Sequence, residues 1–258
     1  MEYYRYFIQL SYRGTNYHGW QIQPNAVSVQ EVLVKTLSTI LGETIEVTGA
    51  GRTDTGVHAS CFYAHFDTQS NLSQKADKFI FQCNGLLPDD IAIHKLIPVN
   101  PDAHTRFDAI SRTYEYRISR EKDPFSTDLS LFYYGKLSLP LMQEASDYFI
   151  REDDFTSFSR LHSPTKTNIC KIKEAGWENK NNQLVFTITA DRFLRNMVRA
   201  IVGTLLQVGT GKIKPVEIEE VFSKKNRSEA GPSAPAQGLF LTNIIYPESI
   251  FEFNYNKK

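Results

Sequence analysis

Strand-like and helix-like segments follow one another in the same order twice along this chain. The first half predicts a strand, a helix, two strands, a helix and a strand, at Tyr3–Tyr12, Ser28–Leu41, Thr44–Thr48, Ser60–Phe66, Ser73–Leu86 and Ile91–Val99. The first helix has the clearest boundaries, because Ser28 and Glu31 have the spacing of a capping box and Gly42 ends its apolar stripe. The first half therefore predicts a β-α-β-β-α-β unit.

The second half repeats this order with different residues. It predicts a strand, a helix, a hairpin, a long helix, a short helix and a last strand, at Arg112–Ile118, Pro140–Ile150, Asn168–Trp177 with Gln183–Thr189, Phe193–Val208, Pro215–Phe222 and Leu239–Tyr246. The repetition predicts an α+β fold of two RRM/ferredoxin-like halves, residues 1–108 and 109–258. We expect antiparallel sheets side by side, helices on one face and an active-site cleft between the halves.

Composition and charge narrow the class of protein. The chain is 41% hydrophobic and 22% charged, as soluble globular proteins are. It contains no apolar run of about 18 residues and no signal-peptide core at its start, so we expect a cytoplasmic protein. Lysine and arginine balance aspartate and glutamate, 29 against 29. Any binding of nucleic acid must therefore come from local basic patches.

The residues that usually hold metals or cofactors do not form the expected patterns. Cys61, Cys83 and Cys170 are widely spaced, which favours reduced core thiols over disulfides or zinc ligands. The histidines lack H-E-x-x-H spacing, and no G-x-G-x-x-G loop is present. The segment 209–212 is an incomplete phosphate-binding loop, so we expect neither a metal nor an organic cofactor.

The segment Gly49–His58, of sequence GAGRTDTGVH, contains the strongest candidate for a reactive group. It connects two predicted strands, and residues two apart in extended backbone project to the same side, so Arg52 and Asp54 are expected to share one face of a cleft. Gly51 and Gly56 would permit an unusual backbone conformation or a close approach. The alternative is a surface turn in which Asp54 bonds its own backbone.

Two segments of the second half offer possible partners for such a carboxylate. Arg192, Arg195 and Arg199 cluster along one flank of the predicted long helix, and Arg199 is the best placed to hold a carboxylate as an anion. The alternative is a solvated basic edge. On the strand at 112–118, alternation places Arg112, Tyr114 and Tyr116 on one face, as in sheets that stack RNA bases, although ordinary cross-strand packing predicts the same pattern.

Two further segments need an interpretation. Asp54-Thr55-Gly56 is the tripeptide of aspartic proteases, but those enzymes need two such carboxylates, and this chain has one copy and several helices. The small, proline-rich segment Ser228–Gln237 is predicted to be a mobile loop.

Taken together, the segment Gly49–His58 and five further segments resemble the bacterial tRNA pseudouridine synthase A family, in family order and across nearly the whole chain. The nucleophile loop of that family is G-R-T-D-x-G-V-H, which residues 51–58 match. The other segments are Tyr12–Gln21, Ser28–Glu31, Arg106–Tyr116 with Asp154–Phe158, and Phe193–Gly203. One departure is Thr55, where relatives often have alanine, and its hydroxyl needs a partner if it is buried.

The resemblance implies a role for each candidate residue. Asp54 would be the catalytic nucleophile, Arg52 would help to place the flipped nucleotide, Tyr114 would stack on the target base and Arg199 would pair with Asp54. It also implies isomerisation of uridine in the anticodon stem-loop of tRNA, at tRNA positions 38–40, by a cofactor-free homodimer. A non-catalytic RNA-binding module built on the same sheets is the competing hypothesis.

Overall fold

The computed structural model describes residues 3–160, 166–180, 182–253 and 255, and these residues form an α+β fold. In chain order the elements are β1 (Tyr4–Tyr12), α1 (Val29–Leu41), β2 (Thr48–Gly49), β3 (His58–Thr68), α2 (Ala76–Leu86), β4 (Ile91–Pro98), β5 (Ser111–Ser119), β6 (Leu131–Phe132), α3 (Leu139–Arg151), β7 (Ile172–Lys180), β8 (Gln183–Ala190), α4 (Met197–Gly209), α5 (Glu217–Ser223) and β9 (Leu239–Ile245). The predicted α+β class and the β-α-β-β-α-β order of the first half are confirmed.

The chain divides into two compact units. The first runs up to Ile110 and resumes at Leu241, and the second is Ser111–Phe240. The division into halves at residue 108 stays a prediction about domains, and the compact units differ from it in one respect, because the segment from Leu241 onward belongs to the first unit.

In the first unit the strand order is β4-β1-β3-β9, with the short β2 paired to β3. Strand β1 is antiparallel to both β3 and β4. Its side chains from Tyr6 to Ile8 are fully buried, so β1 runs through the core of this unit. Helix α1 begins as the capping spacing predicts, because the Ser28 side chain accepts a hydrogen bond from the Glu31 backbone N–H at 3.3 Å. It ends at Gly42, whose φ is +69°.

The strand predicted at Thr44–Thr48 was wrong for most of its length, because only Thr48 and Gly49 pair with β3. Ile45 and Val47 are buried like alternate residues of a strand. Their backbone groups, however, bond to side chains of α1. The Ile45 N–H donates to Ser38 Oγ at 3.0 Å, and the Val47 carbonyl accepts from Gln30 Nε2 at 2.7 Å. These bonds replace a strand ladder.

In the second unit, β8 is antiparallel to β5 and β7, and β6, which the sequence patterns did not predict, pairs in parallel with β5. The helix predicted from Phe193 begins instead at Met197. It is preceded by Asn196 in the left-handed conformation, with φ +65°. Arg192 and Arg195 therefore lie outside α4, and only Arg199 of the predicted arginine cluster lies on the helix.

No helix in the described part of the chain is both long enough and apolar enough to cross a membrane. All three cysteines are free thiols, as predicted, and burial raises the pKa of Cys83 and of Cys170 to about 12. Within the described residues, no group of three or more histidine, cysteine, aspartate or glutamate side chains is arranged to hold a metal ion.

Candidate active site

Asp54 lies in the loop between β2 and β3, as the sequence predicted, at the start of a tight turn. The Val57 backbone N–H donates to the Asp54 carbonyl at 3.1 Å. Gly56, the third residue of the turn, has φ +78°, which the type II geometry requires and which other residues rarely adopt. Asp54 is half-buried, whereas Thr55 is exposed, so the Thr55 hydroxyl can be solvated and needs no protein partner.

Residues 12–20 hold this loop through backbone contacts. The Trp20 N–H donates to the Thr53 carbonyl, and the Gly56 N–H donates to the Tyr17 carbonyl, both at 3.3 Å. The Tyr12 hydroxyl lies 3.0 Å from Thr53 Oγ1 in a buried hydrogen bond. The residues on both sides of Asp54 are therefore anchored, which limits where its carboxylate can lie.

Gly14 and Gly19 allow the close approach that we had expected of Gly51. A Cβ at Gly14 would lie 2.0 Å from the Val57 carbonyl oxygen, and one at Gly19 would lie 2.3 Å from the Thr53 carbonyl oxygen. Gly19 also has φ +86°. The expectation for Gly51 was wrong, since a Cβ there would meet nothing within 4 Å and its φ is not positive. Sequence reasoning gave Gly14 and Gly19 no role, although both lie in the Tyr12–Gln21 segment that resembles the family.

Arg52 is exposed and lines a cavity of about 200 Å³ in the first unit. The other lining residues include Trp20, Gly49, His104 and Phe107, and Asp54 is not among them. Of the two polar residues predicted to act together in this loop, Arg52 therefore lines the cavity and Asp54 does not.

In the second unit, Tyr114 lies on β5 and is half-buried, with its ring edge-on to Phe193 at a centroid distance of 5.1 Å. The prediction that Tyr116 shares an open aromatic face with Tyr114 was wrong. Tyr116 is fully buried, and its hydroxyl donates to the Pro235 carbonyl at 2.8 Å. Of the two tyrosines, only Tyr114 is therefore exposed enough to stack on a ligand.

Arg199 lies on the first turns of α4 and is held by the loop that precedes β9. Its Nε donates to the Ala234 carbonyl at 2.7 Å, and its own carbonyl accepts from the Ala234 N–H at 2.9 Å. Burial raises the pKa of Tyr116, and the nearby Arg199 guanidinium acts in the opposite direction. Arg199 therefore lies close to Tyr116, with its guanidinium oriented by a backbone carbonyl.

Residues 230–238, here called the α4 loop, are fastened to α4 at several points. The Gly231 N–H donates to Thr204 Oγ1 at 2.9 Å, and Asn196 Nδ2 donates to Ser233 Oγ at 2.6 Å. A Cβ at Gly203 would lie 1.7 Å from the Pro232 carbonyl oxygen, so the loop and the helix backbone are in direct contact. These contacts argue against the mobile loop that its composition predicted.

Comparison with known proteins shows the family of this chain. A family model described as tRNA pseudouridine synthase matches residues 9–108 and 145–247. The chain belongs to the tRNA pseudouridine synthase family. The tRNA pseudouridine synthase A of Bacteroides fragilis is 52% identical to it over 249 residues, which are 96% of this chain and 98% of that protein.

The same name is carried by relatives from other bacteria. That of Bacteroides thetaiotaomicron is 54% identical, covering 96% of this chain and 92% of the relative. That of Clostridium acetobutylicum is 43% identical, covering 93% and 98%. Within the family match, Arg52 and Asp54 fall in the first matched range and Arg199 in the second, whereas Tyr114 lies between the two.

Proposed function

We propose that this protein is a tRNA pseudouridine synthase, an isomerase that converts uridine in tRNA to pseudouridine with Asp54 as its nucleophile. Family membership over nearly the full length is the observation that carries this function, since relatives at 52% and 54% identity are named for it. The anchored loop around Asp54 supports the choice of nucleophile.

The reaction needs a placed carboxylate and a closed site. The bond from uracil N1 to C1′ breaks, the base rotates, C5 bonds to C1′, and the C5 proton is lost while N1 gains one. No oxidant, reductant or energy source is consumed. The carboxylate of Asp54 would attack at C1′ or at C6, and the protein must keep the detached base oriented.

The other candidate residues have roles in this proposal. Arg52 helps to place the flipped nucleotide, Tyr114 stacks on the target base, and Arg199 pairs with Asp54. The half-exposed ring of Tyr114 and the oriented guanidinium of Arg199 suit these roles. The proposal includes two ferredoxin-like halves with the cleft between them, so that the first supplies Asp54 and the second supplies Tyr114 and Arg199.

The substrate site and the assembly follow from the family resemblance alone. We propose that the target uridines lie in the anticodon arm, where unstacking a base costs least, at a few kcal/mol. We also propose a cytoplasmic homodimer with tRNA lying across both subunits.

Asp54→Asn tests the central assignment. Unmodified tRNA transcripts are incubated with the wild-type protein or the variant, and pseudouridine is mapped by base-specific chemical derivatisation. We expect the variant to lose conversion, because the amide is a poor nucleophile, while its affinity for tRNA changes by less than about tenfold. Wild-type protein should place pseudouridine in the anticodon arm.

Asp77→Asn is the matched control, since Asp77 is an exposed carboxylate on α2. It should convert tRNA at the wild-type rate. Unchanged conversion by Asp54→Asn would refute the nucleophile, and wild-type protein that binds tRNA without converting it would favour the RNA-binding module.

A further inference from the structure

The cavity beside the nucleophile loop has a rigid aromatic floor. Trp20 is 2% exposed and stacks on Phe62 with a centroid distance of 4.2 Å. Gly49 lets the Trp20 ring pack against its backbone, because a Cβ there would lie 2.5 Å from that ring. At about 200 Å³ the space suits one planar ring system rather than a whole drug-sized ligand.

The wall of the cavity is a tight turn that displays an aromatic ring. The Asp108 carboxylate accepts from the His104 N–H at 2.7 Å, and the Asp108 N–H donates to the His104 carbonyl at 3.1 Å. The Arg106 N–H donates to His104 Nδ1 at 3.1 Å. This turn leaves Phe107 73% exposed, although the centroid of the His104 ring lies 4.3 Å from that of the Phe107 ring.

The charge at the cavity is positive. Arg52 and Arg106 both line it, and the Arg106 guanidinium lies 5.7 Å from the centroid of the Phe107 ring. Burial and the charge of Arg5 lower the pKa of His104, so His104 is neutral near pH 7 and acts as part of the aromatic wall. An aromatic ring beside two guanidinium groups is the combination that stacks an unpaired base and pairs its phosphate.

We propose that this cavity holds an unpaired tRNA nucleotide that is not the reacting one, with its base on Phe107 and its phosphate at Arg106. Gly51 and Arg52 line the cavity whereas Asp54 of the same loop does not, so the base held there is distinct from the one that the Asp54 carboxylate would contact. The inference rests on the proposed function for the identity of the RNA. It adds a second nucleotide site, which would fix the register of the strand around the target uridine.

A fluorescence experiment tests the inference. Stem-loop RNAs are made with 2-aminopurine, a fluorescent adenine analogue, at one nucleotide that flanks the target uridine. We expect one flanking position to change in fluorescence when wild-type protein binds, and Phe107→Ala to abolish that change. Phe107→Ala should also raise KM about 5- to 150-fold with kcat within about threefold, since stacking contributes about 1–3 kcal/mol per base. Phe107→Tyr should restore both values.

Phe81→Ala is the matched control, because Phe81 lies on α2 and is 79% exposed. It should leave fluorescence and KM at wild-type values. Phe107→Leu, which keeps the apolar bulk without the ring face, should behave like Phe107→Ala. Wild-type KM and wild-type fluorescence in Phe107→Ala would overturn the inference while leaving the isomerase intact. If Phe107→Ala abolishes the fluorescence change but the wild-type protein makes no pseudouridine, the proposed function is overturned instead.

Discussion

At the scale of single residues, the position of Asp54 depends on glycines that are distant from it in sequence. Gly14 and Gly19 let the backbone of residues 12–20 contact the carbonyls of Val57 and Thr53, so the loop that carries Asp54 is held by main chain. A backbone support is stiffer than a side-chain contact, because it has no rotamers to exchange. Substitutions at these glycines should therefore affect stability and chemistry together.

Gly19→Ala should destabilise the fold and slow catalysis. The new Cβ combines the strain of a positive φ with a contact of 2.3 Å to the Thr53 carbonyl oxygen. We expect a loss of about 2–4 kcal/mol in the free energy of unfolding, measured by urea denaturation. Conversion of tRNA should fall by about tenfold or more, because displacement of a catalytic group by about 1 Å is costly.

Gly42→Ala separates the two causes. Gly42 has φ +69°, but a Cβ there would meet nothing within 4 Å. Gly42→Ala should lower the free energy of unfolding by about 1–2 kcal/mol, from backbone strain alone, and leave the rate of tRNA conversion unchanged. Equal losses of stability in the two variants would show that the contact with Thr53 contributes nothing.

At the scale of elements, periodicity and capping residues predicted the order of helices and strands, and tertiary hydrogen bonds decided where several of them begin. Helix α1 was predicted almost to the residue, because its start and stop are both encoded locally. The strand at Thr44–Thr48 failed because side chains of the preceding helix, α1, take its backbone bonds. Helix α4 begins late because Asn196 adopts a left-handed conformation that its apolar neighbours do not signal.

The candidate site was predictable to a similar extent. The loop that carries Arg52 and Asp54 was located from its glycines and flanking strands. The burial of Tyr116 was not predicted, because alternation along β5 assigns a side chain to a face but does not reveal that residues 235–238 cover part of that face. The support that Gly14, Gly19 and the α4 loop provide arises from contacts between distant segments, which one sequence alone does not display.

Two helix glycines should respond to alanine in opposite directions. Gly203→Ala would place a Cβ 1.7 Å from the Pro232 carbonyl oxygen and push the α4 loop away from the helix. Ala234, whose carbonyl orients Arg199, would move with that loop. We expect a loss of about 3 kcal/mol or more in the free energy of unfolding. Gly85→Ala on α2, where a Cβ meets nothing within 4 Å, should raise the free energy of unfolding by up to about 1 kcal/mol.

Urea denaturation of both variants checks this prediction, with conversion of tRNA as the second readout. Gly85→Ala should convert tRNA normally, and Gly203→Ala should convert it more slowly even at temperatures where it is fully folded. A neutral effect of Gly203→Ala on stability would mean that the α4 loop moves aside without cost, as its composition first suggested.

At the scale of the whole molecule, tRNA binding has to arise from local charge, because the formal net charge is zero. Each phosphate that an arginine or lysine neutralises releases counterions, which lowers affinity as salt rises. We expect a plot of log affinity against log salt concentration to have a slope of about −3 or steeper, as about four phosphate contacts of about 0.7–0.9 each would give. The slope is measured by tRNA titration at several salt concentrations.

Two variants of the cavity separate the salt-dependent contribution of a phosphate contact from the salt-independent contribution of base stacking. Arg106→Ala should make the slope shallower by about 1, because one phosphate contact is lost. Phe107→Ala should weaken binding at every salt concentration without changing the slope, since stacking releases no counterions. An affinity that does not vary with salt would contradict the role of the local arginines. A change of slope in Phe107→Ala would mean that its ring acts by positioning Arg106, whose guanidinium lies 5.7 Å from the ring centroid.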